Sequence, residues 1–448
     1  MGTECISVGL DVGTTTTQLI FSTLKIENRA SNFTAPEFEI TERTVIYRSP
    51  VYFTPLKNQD LVDGEELRRL VEAEYRKAGI DKAQVKTGAI IITGETSRKE
   101  NARQVLQSLA GFAGDFVAAT AGPDLESLLS AKGAGAVEFS GNCETPVLHM
   151  DIGGGTTNLT LLQDGKVLRT GCLNIGGRLL RYENGYVTYV SPVLQGVTSL
   201  RVGDAVTREQ LTALGELLAS VLEMAAGRTP ATSQMEEFFT WEAASPWVIP
   251  KEAVTLSFSG GVAACIRESH AWDCFGDLGP ILGQAIKNSL LCAGAYNLGS
   301  DAIRATVIGA GCHSAQLSGS TVFAEGITFP VKNLPAVILD DSLNQLEKKL
   351  AVLDTGEGIL AFPALGALDH KGLCRLAEAI AAKKLPRHFI CTHRDIAKAL
   401  GHRLRLLCPD TPCLSIDGIY LTENSYLDIG APVGTAFPVV IKTLVFGG

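Results

Sequence analysis

The chain has 448 residues, 46% hydrophobic and 19% charged, with a formal net charge of -9. At roughly 100–200 residues per domain this length predicts two to four globular domains with ample material for a core. The acidic balance without a Lys/Arg block excludes a nucleic-acid footprint, and eleven cysteines without a C-x-x-C pair point to reduced thiols rather than a disulfide framework. The start MGTECISVGLDVG has no basic n-region, and the longest apolar stretch, near Ile359 to Leu368, is too short for a bilayer and contains Pro363. No membrane-spanning or targeting segment is therefore expected.

In chain order, Ile6 to Leu10 reads as a buried strand ending at Asp11, and Leu19 to Ser22 continues after a Gly/Thr turn. Thr44 to Phe53 alternates as a strand. Asp63 caps a helix that ends near Gly79. Ala89 to Ile92 is a short β-branched run, Asn101 to Leu109 a helix and Phe116 to Ala118 a strand. Pro123 opens a helix over Asp124 to Lys132, which Gly133 closes. Val147 to Met150 and Leu159 to Leu162 are strands, and Asp164–Gly165 turns the second into Val167 to Leu173. Leu211 to Ala225 is an amphipathic helix, and Ser233 to Pro250 an irregular connection. Val254 to Phe258 is a strand running into Ser259–Gly260–Gly261. Helices are expected over Gly279 to Leu291 and Ile303 to Leu317. Beyond Gly319, Asp341 to Leu350, Leu373 to Ala382 and Asp395 to Leu407 read as helices. Phe389 to Cys391 and the Tyr426 to Phe446 region read as strands, with packing that the pattern does not give.

One segment occurs twice at a constant offset. Val8-Gly-Leu-Asp-Val-Gly-Thr-Thr-Thr-Thr-Gln-Leu matches Leu148-His-Met-Asp-Ile-Gly-Gly-Gly-Thr-Thr-Asn-Leu. Asp11 falls on Asp151, Gly13 on Gly153, Thr16 and Thr17 on Thr156 and Thr157, and Gln18 on Asn158. Each copy is strand, turn, strand, which predicts two lobes with related cores. Glycines let backbone N–H groups approach phosphate oxygens, and threonine hydroxyls add donors. An aspartate cannot itself attract phosphate, but it holds Mg²⁺ or the waters of Mg²⁺, and the metal bridges phosphates. Asp11 and Asp151 are the candidate metal-organising residues. Thr14, Thr15 and Thr156 are candidate phosphate donors, and Gly13, Gly153, Gly154 and Gly155 supply loop backbone.

These residues resemble the actin-like ATPase superfamily, whose fold is two related α/β lobes of ribonuclease H-like type around an ATP cleft. Asp11-Val-Gly-Thr-Thr is similar to its first phosphate loop and Asp151-Ile-Gly-Gly-Gly-Thr-Thr to its second. Phe258-Ser-Gly-Gly-Val-Ala resembles its adenosine motif, which implies that Gly260 and Gly261 approach the nucleotide. Pro123 to Gly133 and Ile303 to Leu317 fall where its two connecting helices belong. The resemblance implies a first lobe over 1–121, a second over 122–302, and a returning helix with a C-terminal α/β region over 303–448.

A further set of segments resembles the reactivating factors of ethanolamine ammonia-lyase. They are Thr93-Gly-Glu-Thr-Ser-Arg-Lys-Glu-Asn-Ala, Ala121-Gly-Pro-Asp-Leu-Glu-Ser, Lys132-Gly-Ala-Gly-Ala, Asn174-Ile-Gly-Gly-Arg-Leu-Leu, Tyr426-Leu-Asp-Ile-Gly-Ala-Pro and Pro438-Val-Val-Ile-Lys-Thr-Leu-Val-Phe. That family implies a slow Mg²⁺-dependent ATPase, cycling between ATP and ADP, that acts as a chaperone on the cobalamin-dependent lyase. It releases damaged cobalamin so that intact adenosylcobalamin binds. A cytoplasmic location is implied, with association to a bacterial microcompartment left open.

Several roles stay open at this point. Glu126 and Asp124 lie where the superfamily places a carboxylate that orients attacking water, but acidic residues in a first helical turn also complement the dipole. Lys99 and Arg178 are nucleotide contacts or surface cations. His149, in the strand before Asp151, reads as a core residue, and His388 and His393 around Cys391 lack the ligands of a zinc site. The cobalamin-binding pattern D-x-H-x-x-G is absent. A small-molecule kinase with Asp151 as base, or a filament-forming actin-like ATPase, are the alternative functions on this fold.

Overall fold

The computed structural model describes residues 3–13, 16–28, 38–57, 61–92, 101, 105, 109, 123–240, 247–299, 301–313, 315–319, 321–339, 346–351, 357–363, 366, 368–421, 425–432 and 436–443. The expected strand at 116–118 and the Thr93-Gly-Glu-Thr segment lie outside them. The first sheet contains β1 (Thr3–Val12), β2 (Thr16–Asn28), β3 (Phe38–Arg48), β4 (Tyr52–Phe53) and β5 (Val85–Ile92). Its order is β3-β2-β1-β5, with β4 on β2. β1 runs antiparallel to β2 and parallel to β5. The single strand expected over 44–53 is broken at Ser49–Pro50, because proline has no N–H to continue a ladder. Helix α1 (Gly64–Ala78) begins where the Asp63 side chain accepts from the Glu65 and Glu66 N–H groups, and ends at left-handed Gly79. Its Leu67, Val71 and Tyr75 pack on one face of the sheet against Val8, Leu10 and Phe21.

The second sheet repeats this plan. After α2 (Pro123–Gly133) come β6 (Val147–Ile152), β7 (Thr157–Gln163) and β8 (Lys166–Leu173). Asp164 and Gly165 both take positive φ in the β7–β8 turn, as a type I′ hairpin requires. A small hairpin, β9 (Leu180–Glu183) and β10 (Tyr186–Val190), precedes α3 (Arg208–Ala225). β11 (Thr255–Ser259), α4 (Gly261–Arg267), α5 (Gly279–Lys287) and β12 (Tyr296–Leu298) complete the unit. The order β12-β11-β6-β7-β8 sets β11 parallel to β6, as β5 is to β1. Leu218 and Leu222 of α3 and Ile281 of α5 bury against Leu256 and Phe258 of β11.

Helix α6 (Ala305–His313) returns from the second unit to the first. It packs on β1, β2 and β5, while α2, which leaves the first unit, packs on β6, β7 and β8. The two helices cross between the sheets with backbone against backbone. A Cβ at Gly309 would lie 2.0 Å from the Leu129 carbonyl oxygen, and one at Gly133 would lie 1.9 Å from that of Ala305. Sheet, helix, helix and sheet thus form the layers of two related α/β lobes.

The helix expected through Leu317 stops at His313, and Ala315–Leu317 is an edge strand, β13. It belongs to a third sheet with β14 (Phe323–Glu325), β15 (Val331–Ile338), β16 (Ile359–Phe362), β17 (His388–Thr392), β18 (Cys413–Asp417), β19 (Ser425–Ile429) and β20 (Pro438–Thr443). The order is β13-β20-β19-β15-β16-β17-β18-β14. α7 (His370–Ala381) and α8 (Ala397–Leu407) cross over between β16, β17 and β18 and bury one face with Leu360 and Ile390. Eight strands at about 4.8 Å spacing would set the edges of a flat sheet roughly 34 Å apart. The chain from Leu317 to Phe323 reaches at most about 21 Å. The sheet therefore curls until its edges approach, and Ser318–Gly319 closes the seam. Ser318 N–H donates to the Phe437 carbonyl at 2.9 Å and Gly319 N–H to that of Asp417 at 2.6 Å. Among the described residues no helix is long and apolar enough to cross a membrane.

At this seam Asp417 is fully buried and accepts from the backbone N–H and the hydroxyl of Thr321. Burial pushes its carboxyl up to about 6. The native state then holds this proton more tightly than the unfolded chain, so stability falls as pH rises from the ordinary carboxylate range through 6. D417N removes the titrating group. It is expected to exceed the parent by roughly 2–3 kcal/mol above pH 6 and to lose that advantage near pH 4. Thermal melts across that window check this, and a gap independent of pH would refute it.

Candidate functional site

The repeated segments build the same turn. β1 and β2 pair Asp11 with Gln18 and Val12 with Thr17, and Gly13 N–H donates to the Thr16 carbonyl at 2.9 Å. β6 and β7 pair Asp151 with Asn158 and Ile152 with Thr157, and Gly153 N–H donates to the Thr156 carbonyl at 2.9 Å. Thr14 and Thr15 lie outside the described residues. Thr17 is buried and bonds the Thr54 hydroxyl at 3.1 Å, while Thr54 donates to the Gly13 carbonyl at 2.7 Å. Gly177 N–H and Arg178 N–H donate to the carbonyls of Gly153 and Gly154, bracing the second loop from behind. At the end of β11, Gly260 has φ 90, and a Cβ there would lie 2.3 Å from the Ile152 carbonyl oxygen. Only glycine lets the third motif close against the second loop.

Asp11, Gly13, Glu126, Asp151, Gly153, Gly154, Gly155, Thr156, Gly260 and Gly261 line one cleft of about 310 Å³. The sequence left Asp124 and Glu126 equivalent, and the structure separates them. Asp124 accepts from the Thr170 hydroxyl, whereas Glu126 lines the cleft. Arg178 also lines it. Its Nε donates to Asp277 at 3.0 Å, and its guanidinium lies 5.4 Å from the ring centroid of Phe53, across the cleft on β4. Lys99 lies outside the described residues.

Asp151 is 6% exposed and accepts from the hydroxyls of Ser259 and Thr306. Burial holds its carboxyl above the ordinary range, and the two hydroxyls offset only part of that rise. Burial likewise raises Asp277, against the Gly279 N–H and Arg178. His149 is wholly buried, which pushes its pKa down to about 3 and keeps the ring neutral.

The oxygen chemistry suits a hydrated Mg²⁺ carried on phosphates. Carboxylates approach from both lobes, and Gln18, which lines the cleft, leaves its buried Oε1 without a hydrogen-bond partner among the described residues. An unsatisfied acceptor beside Asp11 is what a metal-bound water would satisfy. Sequence reasoning passed over Ser259, Thr306, Phe53 and Asp277. For Asp277 a weak signal existed, because Asp277-Leu278-Gly279 is one of three further Asp-x-Gly segments, with those at Asp354 and Asp428, and its carboxylate accepts from the N–H of Gly279, the first residue of α5, at 2.9 Å. The others are brought in only by pairing across the sheet or by the returning helix.

The family model described as ethanolamine utilisation protein EutA matches residues 3–447. The chain belongs to the EutA family. An EutA relative in Salmonella typhimurium (strain LT2), named ethanolamine ammonia-lyase reactivase EutA, is 38% identical over 463 residues and covers 99% of each chain. The Escherichia coli (strain K12) relative of the same name is 36% identical, again over 99% of each. Among solved structures, the Aquifex aeolicus PPX-GPPA enzyme spans 68% of this EutA-family chain and 99% of its own, a distant likeness at 13% identity and TM-score 0.41.

Proposed function

We propose that this EutA-family chain is an ATP-driven reactivating factor for ethanolamine ammonia-lyase, working in the cytoplasm on lyase that holds damaged cobalamin. The observation that carries the ATP part is the pair of like Asp-Gly turns opening on one cleft, flanked by crossed helices that join the lobes. The partner assignment rests on the names of the full-length relatives. We take the lobes as 1–121 and 122–302, and 303–448 as the returning helix and C-terminal unit.

In this reading Gly13 and Gly153 to Gly155 present loop backbone to the phosphates, with Thr14, Thr15 and Thr156 adding hydroxyls. Asp11 and Asp151 hold Mg²⁺ through its waters, and the ion supplies charge neutralisation on the phosphate oxygens. Gly260 and Gly261 let the adenosine approach β11. Glu126 orients the attacking water. Arg178, held by Asp277, adds the cation that a phosphoryl group leaving ATP requires. ATP and ADP then favour different lobe positions. Only a difference in lyase affinity between those positions can eject damaged cobalamin and admit adenosylcobalamin.

The test is recovery of inactivated lyase incubated with this protein, Mg²⁺ and adenosylcobalamin. Activity returns with ATP and not with a non-hydrolysable analogue. Equal recovery with both, or none with either, defeats the proposal.

A further inference from the structure

A chain of buried hydrogen bonds runs behind Asp151. The parallel register of β6 and β11 sets His149 beside Ser257 and Asp151 beside Ser259. Alternation along each strand then puts all four side chains on one face. His149 Nε2 lies 2.9 Å from the Ser259 hydroxyl and Nδ1 lies 3.1 Å from that of Ser257. Asn297 on β12 donates its Nδ2 to the Ser257 Oγ at 3.3 Å.

With Asp151 ionised, as a carboxylate that organises a cation is, each direction in this chain follows from its neighbour. An ionised Asp151 only accepts, so the single Ser259 proton goes to it. Ser259 must then accept from His149 Nε2–H. A neutral imidazole has one ring proton, so Nδ1 is bare and takes the Ser257 proton. Ser257, with its proton spent, accepts from Asn297.

The first lobe does not repeat these residues at the matching positions. The residue at the repeat position of His149 is Gly9, and the residue registered with Asp11 on β5 is Ile91. An apolar side chain would fill a fully buried place without needing polar partners on both sides. The histidine therefore has a task beyond packing.

We propose that His149 is the positioning residue of the second phosphate loop: its Nε2–H fixes the Ser259 hydroxyl on Asp151, and so sets that carboxylate for a magnesium–nucleotide. This rests on the nucleotide reading given above. The carboxylate of the second lobe is thereby held by a relay across three strands, whose residues are not repeated in the first lobe's sequence.

Three variants separate the roles of the two ring nitrogens. In His149→Gln an amide N–H replaces Nε2, in His149→Asn the amide reaches only toward Ser257, and His149→Leu removes both. The probe is a fluorescent ATP analogue titrated at rising Mg²⁺, with circular dichroism as the check on folding. H149Q is expected to keep the parent's Mg²⁺ requirement. H149N and H149L are expected to need roughly ten-fold more Mg²⁺ or above, the usual cost of losing an outer-shell partner. Binding of the analogue without Mg²⁺ should be alike in all four proteins. Ser259→Ala should shift the Mg²⁺ requirement in the same sense, and the ring tautomer of the parent decides the matter if the histidine variants fail to fold. Nitrogen-15 NMR of the parent should show the Nε2–H tautomer.

One shared Mg²⁺ requirement across the set, or an Nδ1–H tautomer, overturns the inference while leaving nucleotide binding intact. Failure of the parent itself to bind the analogue overturns the nucleotide reading and this inference with it.

Discussion

Asp151→Asn is expected to cut ATP-driven reactivation by roughly 100-fold or more while leaving the protein as stable as the parent, or more so. The loss is of the size seen when one preorganised electrostatic group is removed from a reacting phosphate or acyl centre. The stability half follows from the sign of the shift. Burial holds this carboxyl above its ordinary range, so at neutral pH the native state carries a cost at this group that the unfolded chain does not. The amide has the same shape and no charge, and it can still accept a hydroxyl proton through its oxygen from Ser259 or Thr306. Activity and melting temperature should therefore move apart. A variant that loses activity only in proportion to its melting temperature would make Asp151 a structural residue and remove the basis of the nucleotide reading. The corresponding change at Asp11, which has no serine opposite it on β5, should cost activity by the same route.

Gly309→Ala is expected to destabilise the protein by roughly 1–2 kcal/mol and to hinder the proposed lobe movement. In an exposed helix the same change would stabilise by about 1 kcal/mol, because alanine has the higher helix propensity. Here the added methyl would sit 2.0 Å from the Leu129 carbonyl oxygen, inside the crossing of α2 and α6. Overpacking costs of about 1–3 kcal/mol outweigh the propensity gain and reverse the sign. Thermal unfolding reads the first effect. Small-angle scattering with ATP and with ADP reads the second, since forced separation of the helices would remove the contact about which the proposed movement turns. A stabilised G309A would mean that the helices do not meet as described.

The repeated turns were legible because their chemistry is local. An aspartate, a glycine two residues on and a returning β-branched strand specify the hairpin wherever they occur, so Asp11 to Gln18 and Asp151 to Asn158 fold alike. α1 was equally legible, since Asp63 and Gly79 mark its ends by capping chemistry. The curled C-terminal sheet was not. Its edge strands β13 and β14 have three residues each, and β13 pairs with β20, more than a hundred residues away. Ala315 to Leu317 also continues the apolar pattern of α6, so periodicity alone extends the helix. The site divides in the same way. Its aspartates and glycines announce themselves, whereas Ser259 and Thr306 matter only because a parallel register and a returning helix carry them to Asp151. His149 has the burial of a core residue, and only its neighbours reveal two bonded nitrogens.

α6 joins two places that the chain otherwise keeps far apart. Its first turn gives Thr306 to the carboxylate of the cleft, and its last residue is followed at once by β13 at the seam of the curled sheet. Nine residues of helix make a rod of about 13 Å. Near its middle, Gly309 rests on the α2 backbone as a fulcrum. Were α6 to tilt about that contact, arms of similar length would not amplify, so an ångström of travel at the cleft end would arrive as about an ångström at the seam, reversed in sense. A protein gripping that sheet would feel the cleft through a see-saw of unit gain. It would have to answer to displacements no larger than the difference between one packing arrangement and the next.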